Sequence, residues 1–252
     1  KNILAALSMQ GTSFEYTDVP KNLFANGYRY INDQWRIEQP LKNGIYGAMG
    51  GMITSIDMFS KYVALHEDAW PARDDAETFP IKRSSLREMH QPAFFIGLNP
   101  NTIFPSGKKM ATTSSYSYGL NWTIDEETKK SVGHSGGLPG FGSNWRFLPE
   151  YGIGVILFAN VTYAPTSRIN LIVLDTLIQL AQLKPRPIKV SNVLMERQTQ
   201  LAKIITHWDQ SIPIFAENFF EDYPIEDLKN SADAIFKKMG NIIKVNTMIP
   251  EN

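Results

Sequence analysis

The residues best suited to chemistry lie in a glycine-rich segment in the middle of the chain, residues 133–143. It holds five glycines and one histidine, His134, among eleven residues. A histidine ordinarily has a pKa of about 6.5 and can carry a proton close to neutral pH. Glycine is favoured where the backbone must approach another group closely. Together they predict a site at which a ligand lies against exposed backbone, beside a proton carrier.

The backbone of this segment offers a second chemical feature. Residues 131–135 form a predicted strand, and if that strand lies at an open sheet edge, every second N–H group has no strand partner. Ser135 and Gly137 would then direct two N–H donors at a ligand carbonyl, which is how an oxyanion is stabilised. Two other interpretations stay open at this point. Glycine clusters commonly mark turns, and a glycine-rich edge strand can also hold a peptide or protein partner by backbone pairing, without catalysis.

The surrounding sequence predicts an α+β fold in which helices pack on an antiparallel sheet. Short stretches rich in β-branched and aromatic residues, separated by turn residues, indicate strands. The turn residues Pro149–Gly152 predict an antiparallel hairpin between the last two strands. The first forty residues are predicted to be irregular. The predicted strands are Tyr116–Trp122, Ser131–Ser135, Asn144–Leu148 and Ile153–Ala159.

Apolar residues at helical spacing predict the helices that accompany this sheet. One covers Ser55–His66, with its first residue as N-cap and its last as a hydrogen-bonded core residue. A short helix begins at Ser84 or Ser85, where a capping box is spelled. The longest helix, Thr166–Leu183, should bury one apolar stripe, formed by Ile169, Val173, Leu177 and Leu180.

A proline-rich stretch, residues 184–188, indicates a linker between two domains. Residues 1–186 hold the glycine-rich segment, and residues 187–252 are predicted to form a small α+β appendage. Helices are predicted in the appendage near Val193–Trp208 and Ile225–Met239. The apolar stretch Ile242–Met248 is predicted as a strand with no partner after it.

Composition excludes several classes of function. The 25 basic and 25 acidic side chains cancel, so no surface for nucleic acid is predicted. The absence of cysteine excludes disulfides and thiolate metal sites. His90 and His207 have no acidic or histidine neighbour at metal-ligand spacing, so neither a metal nor a cofactor is predicted. The longest apolar run, Gly152–Ala159, is too short to cross a membrane.

The motifs around the glycine-rich segment resemble the C-terminal region of class C β-lactamases and penicillin-binding proteins, with their related esterases and peptidases. His134-Ser135-Gly136 matches the family triad Lys-Thr-Gly or His-x-Gly. A Gly-Phe-Gly turn follows, and Ala159–Pro165 matches the entry to the final family helix. Upstream, ILAALSMQGTSF, GAMGGMITSIDMFSKYV and YGLNW match earlier family segments in order. The resemblance covers Lys1–Leu183 and implies part of a β-lactamase/transpeptidase-like fold.

The resemblance implies the C-terminal part of a serine hydrolase, an esterase, peptidase or β-lactamase-like enzyme that works through an acyl-enzyme. It implies that His134 hydrogen-bonds the substrate or the proton network of the nucleophile, and that the N–H of Gly137 is one of two oxyanion donors. Ser135 and Gly136 would bind substrate along the strand. The implied substrate is a small-molecule or peptide acyl compound. Histidine in place of lysine removes a permanent cation for the carboxylate of a β-lactam.

The family's nucleophile motifs have no suitable match within the chain. Ser106–Lys109 spells Ser-x-x-Lys and Tyr30–Asn32 spells Tyr-x-Asn, but they lie in a polar loop and among turn residues, and spelling alone is weak. The resemblance places both motifs upstream of Ile3, in an N-terminal half of the same protein. The chain alone is therefore expected not to acylate. Localisation follows from no residue pattern, and only the resemblance implies the periplasm or the cell exterior.

Overall fold

The computed structural model describes most of the chain, namely residues 2–42, 44, 47–73, 75–208 and 214–249. The chain divides into two units, Lys1–Pro187 and Ile188–Asn252. Within the described residues no helix is both long and apolar enough to span a membrane. The predicted domain boundary at residue 186 stays a prediction, because two compact units need not each fold independently, as domains do.

A two-stranded antiparallel hairpin lies near the start of the first unit. Strand β1, Gly27–Ile31, pairs with β2, Gln34–Glu38. Asn32 and Asp33 join them with positive φ angles of 50° and 59°, which suit a two-residue hairpin turn. The expectation that the first forty residues are irregular is wrong for this segment, because asparagine and aspartate tolerate such angles and let the strands pair.

Six further strands form one antiparallel sheet, and each pairs with the strand next to it in sequence. The strands are β3 Phe94–Ile103, β4 Lys109–Ser117, β5 Leu120–Asp125, β6 Lys130–Leu138, β7 Phe141–Leu148 and β8 Ile153–Ala159. The order follows from the connections, which are short enough to join antiparallel neighbours. Strands β3 and β8 lie at the two edges of the sheet.

The predicted strands that follow residue 130 all lie within β6, β7 and β8, whereas Tyr116–Trp122 is wrong as a single strand. Tyr118 and Gly119 have φ angles of 47° and 81° and turn the chain between β4 and β5. Ser117 pairs with Leu120 across this turn, which makes it a two-residue hairpin loop. The sequence reasoning also missed strand β3.

The described residues of the first unit contain four α-helices: α1 Gly47–Gly50, α2 Ile56–Asp68, α3 Arg83–Met89 and α4 Thr166–Leu180. The predicted cap of α2 is confirmed, because the Ser55 hydroxyl accepts a hydrogen bond from the N–H of Met58 at 3.2 Å. The predicted start of α3 is wrong. That helix begins before Ser84, and its N-cap residue Lys82 makes no side-chain capping bond.

Helices α2 and α4 cover opposite faces of the sheet, and both pack on β7 and β8. Phe59 and Val63 of α2 join Trp145 of β7 in the main core. Asn170 of α4 instead bonds Asn144, the neighbour of Trp145 on the same strand. Because successive strand residues point to opposite faces, these contacts place the two helices on opposite sides of β7.

Helix α4 buries a different stripe from the predicted one. The predicted residues stay exposed in the described structure: Ile169, Val173, Leu177 and Leu180. The residues that are buried instead are Thr166, Asn170 and Leu174. The reason is a set of polar contacts to β7, since a buried amide must keep hydrogen-bond partners and therefore fixes the rotation of the helix.

The second unit is helical in its described residues, with α5 Asn192–Ile204, α6 Phe219–Asp222 and α7 Ile225–Met239. Gly240 ends α7 with a φ of 82°, an angle that favours glycine. Phe215 and Phe219 stack with their ring centroids 4.4 Å apart. The predicted strand Ile242–Met248 is not formed, because the described part of this unit offers no strand for it to pair with.

Candidate active site

The glycine-rich segment begins within β6, which pairs with β7 over Val132–Leu138 and with β5 over Lys130–Gly133. Strand β6 is therefore an inner strand, and the expectation of an open edge is wrong for its first half. The reason is its position between two hairpins. In its second half, Ser135–Leu138, only β7 pairs with it among the described strands. We call the other side of Ser135–Leu138 the slot.

The backbone amides of Ser135 and Gly137 point into the slot. The turn Pro139-Gly140 joins Leu138 to Phe141, which pair directly, and the pair that closes a two-residue turn is a hydrogen-bonded one. Hydrogen-bonded and non-hydrogen-bonded pairs alternate along the ladder. The N–H groups of Leu138 and Gly136 thus face β7, whereas those of Gly137 and Ser135 face away from it. Ser135 and Gly137 are both exposed.

His134 lies at the start of the slot, on the face of the sheet covered by α2. It pairs with Trp145 across the ladder, so the two side chains share that face. The Nε2 atom of His134 lies 3.1 Å from the hydroxyl oxygen of Tyr116, which reaches it from β4. The rings meet edge to face with centroids 5.9 Å apart. The pair can hold or pass a proton, with the direction set by the histidine tautomer.

A buried group of polar side chains lies on the opposite face, and we call Asn144, Asn170 and Arg146 the amide cluster. The Nδ2 of Asn144 donates to the Ser135 Oγ at 2.9 Å and to the carbonyl of His134 at 3.3 Å. The Nδ2 of Asn170 donates to the backbone oxygen of Asn144 at 2.9 Å and to its Oδ1 at 2.8 Å. Both asparagines are 2% exposed. The amide cluster thus ties α4 to β6 through β7.

Arg146 supplies the charge of the amide cluster. Its Nε donates to the Oδ1 of Asn144 at 3.4 Å, and its Nη2 donates to the Oγ of Ser167 at 2.7 Å. Burial lowers the pKa of Arg146 to about 10, and the carboxylate of Asp175 acts in the opposite direction. The guanidinium therefore stays charged at neutral pH, on the face of the sheet that His134 does not share.

Two glycines allow the chain after β8 to lie against one face of the β6–β7 pair. A Cβ on Gly137 would collide with the ring of Tyr163, and one on Gly142 would lie 2.8 Å from the backbone nitrogen of Ala164. Tyr163 has a φ of 50°, and its N–H donates to the oxygen of Phe141 at 3.2 Å. The close approach predicted for this glycine-rich segment is therefore made, at these two positions, by the protein's own backbone and an aromatic ring.

A second buried polar group lies beneath α2, and we call His66, His90 and Trp70 the histidine cluster. The Nδ1 of His66 lies 2.7 Å from the Nε2 of His90, and the indole N–H of Trp70 donates to the Nδ1 of His90 at 2.9 Å. The prediction that His66 is a hydrogen-bonded core residue is confirmed. His90 has no histidine partner at metal-ligand spacing in the sequence, but the fold brings it to His66, which is 24 residues away.

Both histidines of the histidine cluster favour their neutral forms. Burial lowers the pKa of His66 to about 4. Burial, followed by the neighbouring His66 and Arg87, lowers the pKa of His90 to about 3. Across the described residues, no group of three or more histidine, aspartate or glutamate side chains is arranged to hold a metal ion.

The two motifs that match a nucleophile site in sequence alone are not hydrogen-bonded to the glycine-rich segment in the described structure. Ser106 lies in the connection between β3 and β4, where its Oγ accepts from the N–H of Lys108 at 3.4 Å. Tyr30 lies in β1 and donates to the carboxylate of Asp33 at 3.4 Å. In the described structure, neither bonds His134 or a residue of the slot.

The sequence pointed to His134 and the glycines but not to two side chains that contact His134 or Ser135, nor to a third that holds one of these two in place. Tyr116 was placed in a strand without a role, and Asn144 and Asn170 were not considered. A usable signal did exist for the asparagines, because a carboxamide between apolar residues of a strand or helix must find buried partners. What the pattern lacks is the identity of those partners, which lie in different elements.

These features define a class: an α+β protein whose helix-covered antiparallel sheet presents two backbone donors and a histidine at one strand end. The chain belongs to the beta-lactamase family, whose model matches residues 1–179. The resemblance seen in the sequence and the α+β fold with its antiparallel sheet are thereby confirmed. No curated protein matches the chain.

Three solved structures are similar to the chain, and the first of them shares its fold. An octameric penicillin-binding protein homologue from Pyrococcus abyssi is 24% identical with a TM-score of 0.56, over 81% of this chain and 41% of that one. A D-stereospecific amidohydrolase from a Streptomyces species is 19% identical with a TM-score of 0.47, over 68% and 45%. A penicillin-binding protein from Bacillus halodurans is 16% identical with a TM-score of 0.47, over 70% and 47%. The chain thus spans less than half the length of these proteins.

Proposed function

We propose that the chain is the C-terminal part of a serine hydrolase that transfers an acyl group through an acyl-enzyme, and that residues 134–137 bind its substrate. In this proposal the Gly137 N–H is one of two oxyanion donors, and Ser135 and Gly136 contact the substrate along the strand. His134, with Tyr116, bonds the substrate or the proton network of the nucleophile. Membership of the beta-lactamase family supports the reaction class.

One observation carries the proposal, namely the slot. Its outward-facing amides at Ser135 and Gly137 lie beside a histidine that is hydrogen-bonded to a tyrosine. A backbone donor held in place before the reaction, here the Gly137 N–H, stabilises a developing oxyanion without a reorganisation cost. A proton carrier at the same strand end supplies the second element that acyl transfer needs.

The proposed substrate is a small-molecule or peptide acyl compound rather than a β-lactam. A β-lactam presents a carboxylate, and the family's lysine position holds His134 in this chain. The permanent cation of the amide cluster, Arg146, lies on the other face of the sheet and donates to Asn144 and Ser167. An ester, or a peptide bond remote from a C-terminal carboxylate, places no such demand for a cation on the slot.

The nucleophile is proposed to come from an N-terminal half of the same protein that packs on this chain. Two surfaces support this. The exposed apolar residues of α4, Ile169, Val173 and Leu177 among them, form a stripe that an apolar partner would cover. Strand β8 is an edge strand, so it can accept a further strand.

The alternative, a strand that binds a protein partner without catalysis, has less support. Backbone pairing with a peptide gains affinity from a long free edge, and the slot of β6 is confined to Ser135–Leu138. A partner-binding strand would also have no use for the bond between His134 and Tyr116.

The test is His134→Ala in the protein extended upstream of Ile3 through its Ser-x-x-Lys segment. We expect hydrolysis of a short-chain p-nitrophenyl ester to fall by about 10²–10⁴-fold, the usual worth of a positioned proton-transfer group. Thermal unfolding should change little, because the side chain is only half-buried.

The matched control is His207→Ala, which removes an exposed histidine of the second unit and should leave the rate within about twofold. An upstream sequence without a Ser-x-x-Lys motif contradicts the proposal, as does ester hydrolysis that survives His134→Ala unchanged. Unfolding of His134→Ala would show instead that the histidine has a structural role.

A further inference from the structure

The side chain of Asn144 uses all of its hydrogen-bonding capacity. Its Nδ2 donates twice, to the Oγ of Ser135 and to the carbonyl of His134. Its Oδ1 accepts twice, from the Nδ2 of Asn170 and from the Nε of Arg146. A carboxamide has two donor hydrogens and two acceptor lone pairs, so no capacity is left over in this buried side chain.

The direction of the Asn144 carboxamide is fixed by its neighbours. A guanidinium can only donate, so the atom that faces Arg146 must be oxygen. The Nδ2 of Asn170 also faces the backbone carbonyl of Asn144 at 2.9 Å, which can only accept, so Asn170 presents its nitrogen there. The remaining atom of the Asn144 carboxamide is therefore nitrogen, and it donates to the Oγ of Ser135.

This donation determines what the Ser135 hydroxyl can do. A hydroxyl has one hydrogen and two lone pairs, and one lone pair is taken by Asn144. Within the described residues this is the one hydrogen bond that the Oγ of Ser135 makes. Its own hydrogen is thus free, and the residue is exposed beside the slot.

We infer that Asn144 is a positioning residue that makes the Ser135 hydroxyl a hydrogen-bond donor toward an acceptor oxygen of the substrate. Asn170 and Arg146 hold Asn144 in the required direction. The inference rests on the proposed function, because that proposal supplies the substrate that the hydroxyl contacts. The orientation of the hydroxyl rests only on the contacts of the amide cluster.

The position of the amide cluster explains why such a device is needed. On the slot side, Ser135 has no ladder partner among the described strands, so β6 is held there by β7 alone. Asn144 adds two bonds across the β6–β7 ladder, and Asn170 anchors it to the first turns of α4. A hydroxyl oriented before binding loses less entropy when a ligand arrives.

The experiment compares Asn144→Asp with Ser135→Ala and Ser135→Thr in the ester-hydrolysing protein. Aspartate keeps the shape and the bonds from Asn170 and Arg146, but it presents an acceptor to Ser135 and so takes up the serine hydrogen. We expect Ser135→Ala to raise KM about tenfold, which corresponds to the loss of one hydrogen bond. Asn144→Asp should raise KM similarly, with kcat within about twofold of the parent. Ser135→Thr keeps the donor and should therefore keep the parent KM.

The double variant decides between positioning and bulk structure. If Asn144 acts through Ser135, Asn144→Asp adds nothing to Ser135→Ala, because coupled residues are not additive. Additive effects on KM overturn the inference, as does a Ser135→Ala protein with the parent KM. An Asn144→Asp protein that fails to fold leaves the decision to Ser135→Ala, Ser135→Thr and the following measurement.

A measurement on the 252-residue chain tests the orientation without any activity. In ¹⁵N-resolved NMR, both side-chain amide hydrogens of Asn144 should exchange slowly with water, and Ser135→Ala should accelerate one of them. Fast exchange of both in the parent overturns the inference even if the enzyme is active. Conversely, activity that depends on Ser135 but not on His134 removes the proposed role of His134 and leaves this inference standing.

Discussion

The histidine cluster and the amide cluster lie on opposite faces of the same sheet and solve the burial of polar groups differently. In the histidine cluster, Trp70 donates to the Nδ1 of His90, so neutral His90 carries its hydrogen on Nε2 and donates it to the Nδ1 of His66. The hydrogen of His66 then lies on its Nε2, and this buried atom has no hydrogen-bond partner in the described structure. The amide cluster has no such gap at Asn144.

The two faces of the sheet therefore respond to different disturbances. The chain of donors in the histidine cluster works only while both rings are neutral, so it is sensitive to acid. The amide cluster contains two carboxamides and a guanidinium that do not change charge near neutral pH. It is sensitive instead to the loss of any one partner, because its bonds are mutually saturated.

Removing a partner from the amide cluster should change stability most. Asn170→Leu deprives Asn144 of two bonds in a buried site and should lower the free energy of unfolding by about 2–4 kcal/mol. Chemical denaturation measures it. Thr176→Ala, at an exposed position of α4, is the matched control and should stay within about 0.5 kcal/mol of the parent. Equal effects of the two substitutions would contradict the saturated arrangement.

The next effect is the acid sensitivity of the histidine cluster. The folded pKa values of about 4 for His66 and about 3 for His90 lie below the unfolded value of about 6.5. The unfolded state therefore binds more protons, and the stabilisation is complete above pH 6.5 and lost as the pH falls toward the folded values. A fall from pH 7 to pH 5 should lower the free energy of unfolding by about 2 kcal/mol for each of the two histidines.

Denaturation at several pH values checks this slope. The slope should be smaller in His66→Phe, which removes one titrating ring from the core. It should be unchanged in Asn170→Leu, because the amide cluster does not titrate in this range. A parent protein with the same unfolding free energy at pH 7 and pH 5 would contradict the role of the histidine cluster.

The smallest change in stability should come from removing the first donor of the histidine cluster, the indole N–H of Trp70. Trp70→Phe removes the indole N–H that donates to the Nδ1 of His90 and should cost about 1 kcal/mol, the net value of one hydrogen bond. Trp35→Phe, in the exposed part of β2, makes the same chemical change without a buried partner and serves as the control. A cost for Trp70→Phe no larger than that of the control would show that His90 does not depend on this donor.

The sequence predicted those parts of the fold whose signals are local. Strands β7 and β8 follow from apolar runs bounded by turn residues, and α2 follows from Ser55 and the spacing after it. The turn at Tyr118-Gly119 was missed because a tyrosine with positive φ is uncommon outside tight hairpins. The buried face of α4 was mistaken because apolar spacing ranks carboxamides as solvent-facing, whereas Asn170 finds its partners on another element.

The candidate site was predicted in part for the same reason. His134 and the glycines stand together in the sequence, so their density alone drew attention to them. The slot could not be predicted, since it exists because a neighbouring hairpin is short and not because of a residue in β6. The roles of Gly136 and Gly137 remain a proposal, and the experiments above address those of His134 and Ser135.

The two-residue turn at Tyr118-Gly119 determines the length of the slot. It sets where β5 begins and therefore how much of β6 is left free, about 13 Å of strand at 3.3 Å per residue for Ser135–Leu138. A longer hairpin would extend β5 along the slot and close it while leaving every residue of the glycine-rich segment unchanged. Insertions or deletions at this turn would thus change the length of the slot without changing His134.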